Sequence, residues 1–368
     1  MGERAPFIIK ILLYPLSIIY GLVVGIRNKL FDISVLKSKE FPIPIISVGN
    51  ITVGGTGKTP HIEYLIELLS KEYKVAVLSR GYKRKSRDFV IANINTPVSQ
   101  IGDEPWQLKE KYPNVTIAVD RNRVRGIERL MKELPDLDII LLDDAFQHRY
   151  VKPGISILLI DYSRPILKDH IMPYGWLRES SSERFRADII LFSKSPEIIK
   201  PIDRRVLVKH LDVLANQHVY FTSIAYCEPQ PVFTDTQLEI TYKKIAAENY
   251  SILLVTGIAN PAPLKAELEK YTDNFKMISY PDHHFFTQND LRKIHNELET
   301  LPGDKKIILT TEKDMARLKE FASIMLGPNQ WFYIPIHIAF HPTEDESFNK
   351  YIFHYVKNNN RNSILYKK

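Results

Sequence analysis

The most informative stretch of the chain is Ile43–Thr59, with the sequence IPIISVGNITVGGTGKT. It begins with an apolar run rich in β-branched side chains, which predicts a buried strand. A glycine-rich segment follows and ends in Gly57, Lys58 and Thr59. Apolar residues then recur at helical spacing from Ile62 to Leu69. A strand, a glycine loop and a helix in this order are the context of a phosphate-binding P-loop.

The residue types in this loop suit the phosphates of a nucleotide. Glycine lets backbone N–H groups approach phosphate oxygens, and a helix N-terminus adds a favourable dipole. We predict that Lys58 reaches the β- and γ-phosphates and that Thr59 offers its hydroxyl to Mg²⁺. The strict P-loop pattern has a glycine five residues before Gly57, where this chain has Thr52. The predicted nucleotide-binding residues are Thr52, Val53, Gly54, Gly55, Thr56, Gly57, Lys58 and Thr59.

A pair of acidic residues follows a second buried run. Residues 138–142, DIILL, predict a strand that leads directly into Asp143 and Asp144. Carboxylates at the end of a buried strand hold Mg²⁺ in P-loop enzymes, directly or through water. The competing interpretation is a solvated turn after a strand, and the P-loop favours the metal role. The pattern does not distinguish which of the two aspartates contacts the metal.

Further short apolar runs follow, separated by helical or loop segments. These predicted strands are VAVLS (75–79), VTIAV (115–119), ISILLI (155–160) and DIILF (188–192). Strands that alternate with helices predict an α/β fold with a doubly wound, mostly parallel sheet. Ligands of such sheets bind at the C-terminal ends of the strands. Arg80 stands in a polar cluster at one of these ends and is therefore a candidate site residue.

A second, smaller α/β unit is predicted after a change of rhythm at residues 221–250. Pro229 and Pro231 in this stretch are typical of a linker or an edge ribbon. New apolar runs begin at residue 252 with ILLVT. We therefore predict an N-terminal membrane-associated helix (1–32), a P-loop domain (33–225), a linker (226–250) and a smaller C-terminal α/β domain (251–368).

The hydrophobic segment at residues 7–31 raises the question of a membrane. Its longest uncharged run, Ile11–Ile26, has 16 residues, fewer than the ~20 that a straight spanning helix needs. Lys10 precedes the run, and Arg27 and Lys29 follow it. The alternatives are a signal peptide, for which no small-residue cleavage site follows, a single span, an interfacial helix and a helix in the protein's own core. We expect membrane association, either spanning or lying in one leaflet.

The composition excludes several classes of protein. With 368 residues, 44% hydrophobic and 25% charged, the chain has the usage of a folded globular protein. The single cysteine, Cys227, rules out an intramolecular disulfide and a cysteine-based zinc site. The net charge of +7 suits an acidic partner such as nucleotide phosphates or an anionic membrane. The chain has no arginine-rich tract or zinc-finger spacing, so we do not expect nucleic acid as a partner.

Candidates for a group that accepts a proton from an acceptor hydroxyl lie away from the P-loop. Asp103 and Glu104 stand in IGDEPWQL (101–108), which we interpret as a loop bounded by glycine and proline. Asp282 and His283 stand in PDHHFF, and a histidine can orient a carboxylate and tune its basicity. Spacing alone leaves ordinary turn or surface roles open for all of them.

Taken together, the motifs resemble those of the tetraacyldisaccharide 4'-kinases, the lipid A 4'-kinases of Gram-negative bacteria. The matching stretches run from about residue 43 to 314 and are ISVGNITVGGTGKTP, SRGY, GDEP, DR, DDAFQH, PYGWLRE, GIANP, PDHHF and TTEKD. The resemblance implies transfer of the γ-phosphate of ATP, with Mg²⁺, to the 4'-hydroxyl of an acylated glucosamine disaccharide 1-phosphate. It also implies that the enzyme works at the cytoplasmic face of the inner membrane, docked by its N-terminal helix.

The resemblance further implies roles for single residues. Asp103 would be the general base, and His283 would pair with it from the second domain. The family's phosphate, metal and nearby polar positions fall on Lys58, Thr59, Asp143, Asp144, Arg178 and Glu179, with Glu179 expected near the metal. Two departures are Ala145, where glycine is common and would matter if φ is positive, and Trp176, where a small residue or proline is common.

Two rival functions stay open on the sequence. The first is a P-loop ATPase that positions or partitions membrane cargo, although Val53 stands where that group has a signature lysine. The second is a nucleotide-binding adaptor without catalysis, which has no use for Asp103 or His283. Acyl-chain preference and oligomeric state are not readable from the chain.

Overall fold

The computed structural model describes residues 7–82, 84–233, 238–282, 284, 286–319, 321 and 330–365. The chain divides into two compact units. The first comprises Met1–Ile224 and Ile338–Lys368, and the second comprises Ala225–His337.

The described residues form strands and helices in the following order. The strands are β1 (Ile45–Gly49), β2 (Val75–Ser79), β3 (Val90–Ile91), β4 (Thr116–Val119), β5 (Ile139–Asp143), β6 (Ile155–Asp161), β7 (Ile189–Ser193), β8 (His218–Tyr226), β9 (Gln230–Pro231), β10 (Ser251–Thr256), β11 (Phe275–Ser279), β12 (Lys306–Thr311), β13 (Trp331–Ile334) and β14 (Ile336–Phe340). The α-helices are α1 (Phe7–Asp32), α2 (Lys58–Leu69), α3 (Val98–Ile101), α4 (Asp103–Lys111), α5 (Arg123–Glu133), α6 (Pro201–Leu211), α7 (Tyr242–Ala247), α8 (Ala262–Leu268), α9 (Gln288–Glu299), α10 (Glu312–Leu318) and α11 (Glu344–Leu365). Two short 3-10 helices span Ile166–Lys168 and Ser181–Arg186.

The first unit is built on a mostly parallel sheet, as the alternation of strands and helices predicts. Among the described residues its order is β14-β8-β7-β6-β1-β5-β2-β4-β3. Every neighbouring pair from β8 to β4 is parallel, and β3 joins β4 antiparallel. Strands β1, β2, β5 and β7 are buried along their whole length, which explains their uninterrupted apolar sequences.

Strand β1 is the point at which the strand order changes direction. Its neighbours are β5 on one side and β6 on the other. The register sets Val48 opposite Asp143, so the P-loop begins beside the acidic end of β5. A change of strand order of this kind opens a crevice at the C-terminal edge of the sheet, where ligands bind.

The second unit has its own sheet and core. In the described part of the chain the strand order is β11-β10-β12-β13-β9. The pairs among β11, β10, β12 and β13 are parallel, and β9 pairs antiparallel with β13. Buried side chains of β10, β12 and β13 pack against α8 and α9. This is the smaller α/β unit that the sequence predicts.

The observed division differs from the predicted boundaries in three places, the first being that helix α1, which we predicted as a segment of its own, belongs to the first unit. Strand β9 and helix α7, inside the predicted linker 226–250, belong to the second unit. Residues 338–368, which we predicted to lie in the smaller domain, belong to the first unit. The physical reason is that β14 pairs with β8 in the larger sheet, and α11 buries Phe348, Ile352 and Val356 in the first unit's core.

Helix α1 corresponds to the hydrophobic N-terminal segment. Within the described part of the chain, no helix combines the length and hydrophobicity that crossing a membrane requires. Leu16, Ile19 and Val23 on its outer side are 54–62% exposed. Ser17 and Phe31 are buried on its other side. The exposed apolar side contradicts the alternative of a helix enclosed in the protein's own core.

Candidate active site

The P-loop connects β1 to α2 as the sequence predicts. Gly57 precedes the first residue of α2 and has φ 81°, and Gly54 has φ 105°. Both values lie in the left-handed region that glycine adopts without strain. Asn50 Nδ2 donates a hydrogen bond to Thr56 Oγ1 at 2.8 Å, and both side chains are buried. The loop is thus held from inside, with Lys58 at the start of the helix.

A short antiparallel bridge ties the P-loop to the LRE segment. The Val53 N–H donates to Trp176 O at 2.8 Å, and the Arg178 N–H donates to Ile51 O at 2.7 Å. Thr52 pairs with Leu177 between them. A bridged position is extended, so Thr52 is accommodated where the strict pattern has glycine. The bridge also brings Arg178 to the nucleotide site, where its Nη1 lies 3.6 Å from Asp144 Oδ2.

Asp143 is a buried carboxylate with an unused oxygen. It ends β5, is 2% exposed, and accepts a hydrogen bond from Ser79 Oγ at 3.1 Å on Oδ2. Its Oδ1 is buried and has no hydrogen-bond partner among the described residues. Burial, with the nearby charges of Glu104 and Asp144, raises the pKa of Asp143 to about 7. Such a group is stabilised in its ionised form by a neighbouring cation.

Asp144 is the ionised member of the pair. Burial acts to raise its pKa, but the positive charges of Lys58, Arg178 and Arg123 outweigh burial and lower it. Lys58 Nζ lies 3.5 Å from Asp144 Oδ1. Asp144 has φ 47°, so the left-handed residue of this segment is Asp144 and not Ala145. Alanine in place of the family's usual glycine therefore carries no backbone strain here.

The donor set fits Mg²⁺. Thr59, Asp143 and Asp144 offer a hydroxyl and two carboxylates, and Mg²⁺ is usually held by one or two carboxylates together with water and substrate phosphates. The partnerless buried oxygen of Asp143 is the observation that favours a cation. Among the described residues there is no cluster of three or more His, Cys, Asp or Glu side chains that could hold a metal.

Glu179 differs from the expectation of a residue beside the metal. Its side chain is 1% exposed, and both carboxylate oxygens are occupied by arginines. Arg27 Nη2 lies 3.0 Å from Oε1, and Arg186 Nη2 lies 2.5 Å from Oε2. Each oxygen therefore accepts from a guanidinium group, and such charge-assisted pairs hold the carboxylate in a fixed orientation. Glu179 therefore anchors helix α1 in this structure.

Asp103 and Glu104 are not in a loop, as we expected, but form the first turn of α4. Gly102 precedes them with φ 91°. A Cβ on Gly102 would lie 2.8 Å from Tyr82 O, so the GDEP and SRGY segments are in close contact. Glu104 is near enough to Asp143 for its charge to raise the pKa of that carboxyl. The first turn of α4 therefore faces the acidic end of β5.

The remaining predicted site residues are Arg80, Asp282 and His283. Arg80 follows β2 and has an exposed side chain. Its positive charge contributes to lowering the pKa of Arg123. Asp282 belongs to the second unit, where Lys313 Nζ donates to its Oδ1 at 3.1 Å. His283 lies outside the described residues, so its pairing with Asp103 stays a prediction.

Sequence reasoning missed three basic residues around the loop. Lys194 Nζ donates to Gly55 O and lies 2.9 Å from Asp161 Oδ2. Arg164 Nη1 lies 3.5 Å from Val53 O. Buried Arg123 donates from Nη2 to Asp143 O at 3.0 Å, and burial lowers its pKa to about 10. All three lie within four residues of the end of a strand, which is the signal that could have identified them.

A lysine at the start of a helix, a glycine loop before it and paired aspartates on the neighbouring strand define a P-loop phosphotransferase or nucleotide hydrolase. A family model described as Tetraacyldisaccharide-1-P 4'-kinase matches residues 9–356. The chain therefore belongs to the tetraacyldisaccharide 4'-kinase family, which confirms the resemblance found in the motifs.

Individual relatives agree with the family match. A tetraacyldisaccharide 4'-kinase of Phocaeicola vulgatus is 50% identical over 355 residues, covering 95% of this chain and 96% of the relative. One from Bacteroides thetaiotaomicron is 49% identical over 358 residues, covering 95% and 94%. The crystal structure of the "apo" form of LpxK from Aquifex aeolicus in complex with ATP is 26% identical, with a TM-score of 0.73 and coverage of 95% of this chain and 99% of that one.

Proposed function

We propose that this chain is an ATP-dependent lipid kinase that phosphorylates the 4'-hydroxyl of tetraacyldisaccharide 1-phosphate, a step of lipid A biosynthesis. The observation that carries the proposal is the family match across residues 9–356, which includes every element of the P-loop site. The solved relative that binds ATP supports the nucleotide. No observation favours the alternative of a cargo-positioning ATPase.

The P-loop residues would bind the triphosphate. Backbone N–H groups of the glycine loop and the N-terminus of α2 would donate hydrogen bonds to the phosphate oxygens. Lys58 Nζ lies 3.5 Å from Asp144 Oδ1, so the lysine ammonium is next to the proposed metal ligands. Lys58 would neutralise the β- and γ-phosphates, and Arg178 would add a second positive charge near the same aspartate.

Thr59, Asp143 and Asp144 would hold Mg²⁺. When bound, Mg²⁺ would neutralise charge on the phosphates as the γ-phosphoryl group is transferred. The chain's own contribution is to present ionised Asp144 and buried Asp143 side by side at the end of β5. Glu179 pairs with Arg27 and Arg186, and its place near the metal stays a prediction from the family resemblance.

Asp103 is proposed as the general base. It would accept the proton of the 4'-hydroxyl while the oxygen of that hydroxyl attacks the γ-phosphorus of ATP, the bond from that phosphorus to the β,γ-bridging oxygen breaks, and ADP leaves. Its place in the first turn of α4, next to Glu104, brings a carboxylate to the acidic side of the nucleotide site, by which we mean the side formed by Asp143 and Asp144. The family resemblance supports His283 of the second unit as its partner, and Arg80 and Asp282 stay candidates without an assigned step.

We further propose that α1 lies on the cytoplasmic surface of the inner membrane. The exposed apolar side of α1 supports this, since Leu16, Ile19 and Val23 would enter the headgroup boundary. Lys10 precedes the apolar run and suits anionic lipid. An enzyme seated on the surface would meet a substrate whose acyl chains are buried in the same leaflet.

The direct test is transfer of labelled γ-phosphate from ATP to tetraacyldisaccharide 1-phosphate in detergent micelles with Mg²⁺. Labelled lipid formed by the wild type, and lost in Lys58→Ala and in Asp103→Ala, is the expected result. Hydrolysis of ATP stimulated by membranes, with no labelled lipid, would contradict the proposal and support the cargo-positioning ATPase.

A further inference from the structure

One arginine of α1 contacts both segments that build the acidic side of the nucleotide site. Arg27 Nη2 lies 3.0 Å from Glu179 Oε1 and 3.1 Å from Gln147 O. Glu179 directly follows Arg178, and Gln147 lies three residues after Asp144. Arg27 therefore joins the LRE segment to the DDAFQH segment at the place where Arg178 and Asp144 meet.

The same segments are fixed to α1 and to the P-loop by further hydrogen bonds. Arg149 donates from Nη1 to Asn28 O at 2.9 Å and from Nη2 to Asp32 Oδ1 at 2.7 Å. Gln147 Nε2 donates to Asn50 O at the start of the P-loop. A continuous set of hydrogen bonds thus runs from the last turns of α1 to the P-loop, through the segment that carries Asp144.

Burial of Glu179 makes its ion pair with Arg27 sensitive to the position of α1. The side chain of Glu179 is 1% exposed and Asn28 is 2% exposed. A buried carboxylate that loses one of its two guanidinium partners is strongly destabilised, so Glu179 favours the position of α1 in which Arg27 reaches it. A shift of α1 would therefore displace Glu179, and with it the adjacent Arg178.

The opposite side of α1 is free to contact a lipid surface. Leu22 and Ile26 are both 60% exposed. On the same helix, Leu22 lies five residues before Arg27 and Ile26 lies one residue before it. A surface that holds these apolar residues would also fix the axial position and rotation of the turn that carries Arg27. The two sides of α1 are thus coupled through a rigid element rather than through a mobile chain.

We propose that Arg27 is a positioning residue, and that a lipid surface bound to α1 promotes nucleotide binding and phosphoryl transfer by holding Arg178 and Asp144 in place through it. The proposal rests on the proposed function, because it takes the surface to be the membrane that holds the substrate. It adds that the surface acts on the enzyme itself, besides presenting the substrate.

The test compares Arg27→Gln with Lys29→Gln in the full chain. Both changes remove one positive charge from α1, but only Arg27 contacts Glu179. Anionic phosphatidylglycerol vesicles without substrate are added, and the dissociation constant of a fluorescent ATP analogue is measured with Mg²⁺. We expect vesicles to tighten nucleotide binding severalfold in the wild type and in Lys29→Gln, and to have no effect in Arg27→Gln.

The lipid kinase assay supplies the second arm. Arg27→Gln should lower kcat by about tenfold to a hundredfold, the cost of a small misplacement near reacting groups, with the KM for lipid equal to that of Lys29→Gln. Arg27→Lys keeps the charge and one donor group, and should restore part of kcat. It also serves as the test variant if Arg27→Gln does not fold.

Three outcomes would overturn the proposal. The first is wild-type nucleotide affinity that does not change when vesicles co-sediment the protein. The second is a kcat of Arg27→Gln equal to that of Lys29→Gln. The third is a response of Arg27→Gln to vesicles that equals the wild-type response. Absence of lipid phosphorylation by the wild type would contradict the proposed function instead, because the nucleotide-binding arm uses no lipid substrate.

Discussion

Lys58 is the residue on which phosphate binding depends most directly. Its Nζ lies 3.5 Å from Asp144 at the start of α2, and its side chain is mostly buried. Lys58→Ala should lower kcat for lipid phosphorylation by about 10²–10³-fold or more and weaken ATP binding, because a charge on the transferring group is no longer neutralised. Steady-state rates at varied ATP measure both effects. Exposed Lys71→Ala is the matched control, and equal rates for the two variants would contradict the role.

Asp103 should behave differently from Lys58. A general base acts on the acceptor hydroxyl, so Asp103→Asn should lower kcat by about 10²–10⁴-fold and leave the dissociation constant of ATP unchanged. The carboxamide keeps the size of the side chain and its place in the first turn of α4. Rates and nucleotide titrations on the same preparation measure the two quantities. A parallel loss of ATP affinity would show that Asp103 supports the nucleotide site and not the acceptor.

At the scale of elements, Gly102 fixes where α4 begins. Its φ is 91°, and a Cβ there would lie 2.8 Å from Tyr82 O. Gly102→Ala should reduce the free energy of unfolding by about 1–3 kcal/mol and lower kcat, because strain in this turn displaces Asp103. Urea denaturation and initial rates measure the two effects. Gly25→Ala in α1 is the control, since no atom lies within 4 Å of the added Cβ, and alanine there should not destabilise the protein.

Helix α4 also illustrates what sequence patterns could and could not predict. The strands β1, β2 and β5 were predictable because uninterrupted apolar runs mark strands buried on both faces. The segment GDEP was interpreted as a loop because it holds a glycine and a proline. Pro105 is the third residue of α4, where the backbone N–H has no partner within the helix. Proline is therefore compatible with the helix start, and the loop prediction was wrong for that reason.

At the scale of the whole molecule, the unpredictable features are contacts between remote segments. Nothing in the local sequence of β14 indicates that it pairs with β8 and returns the chain to the first unit. Glu179 is a second example, because the family resemblance placed it near the metal, and nothing in the local sequence indicates that Arg27 of α1 pairs with it. The residues of the P-loop site were predictable because their spacing within one strand–loop–helix unit already fixes their geometry.

The stability of the whole chain should depend on His148, which ends the DDAFQH segment that carries Asp144. Burial, reinforced by the positive charges of Arg123, Arg80 and Arg27, lowers the pKa of His148 to about 4. Between about pH 6.5 and 4 the unfolded chain binds a proton there that the folded chain does not. As the pH falls through this window, protonation of His148 in the unfolded chain lowers the free energy of unfolding by up to ~1.4 kcal/mol per pH unit. Above pH 6.5 His148 is neutral in both states, and none of this stability is lost. The three arginines keep their charge throughout, so His148→Gln should remove this part of the slope. Denaturant unfolding at pH 7, 6 and 5 measures both proteins, and equal slopes would mean that folding does not lower the pKa of His148.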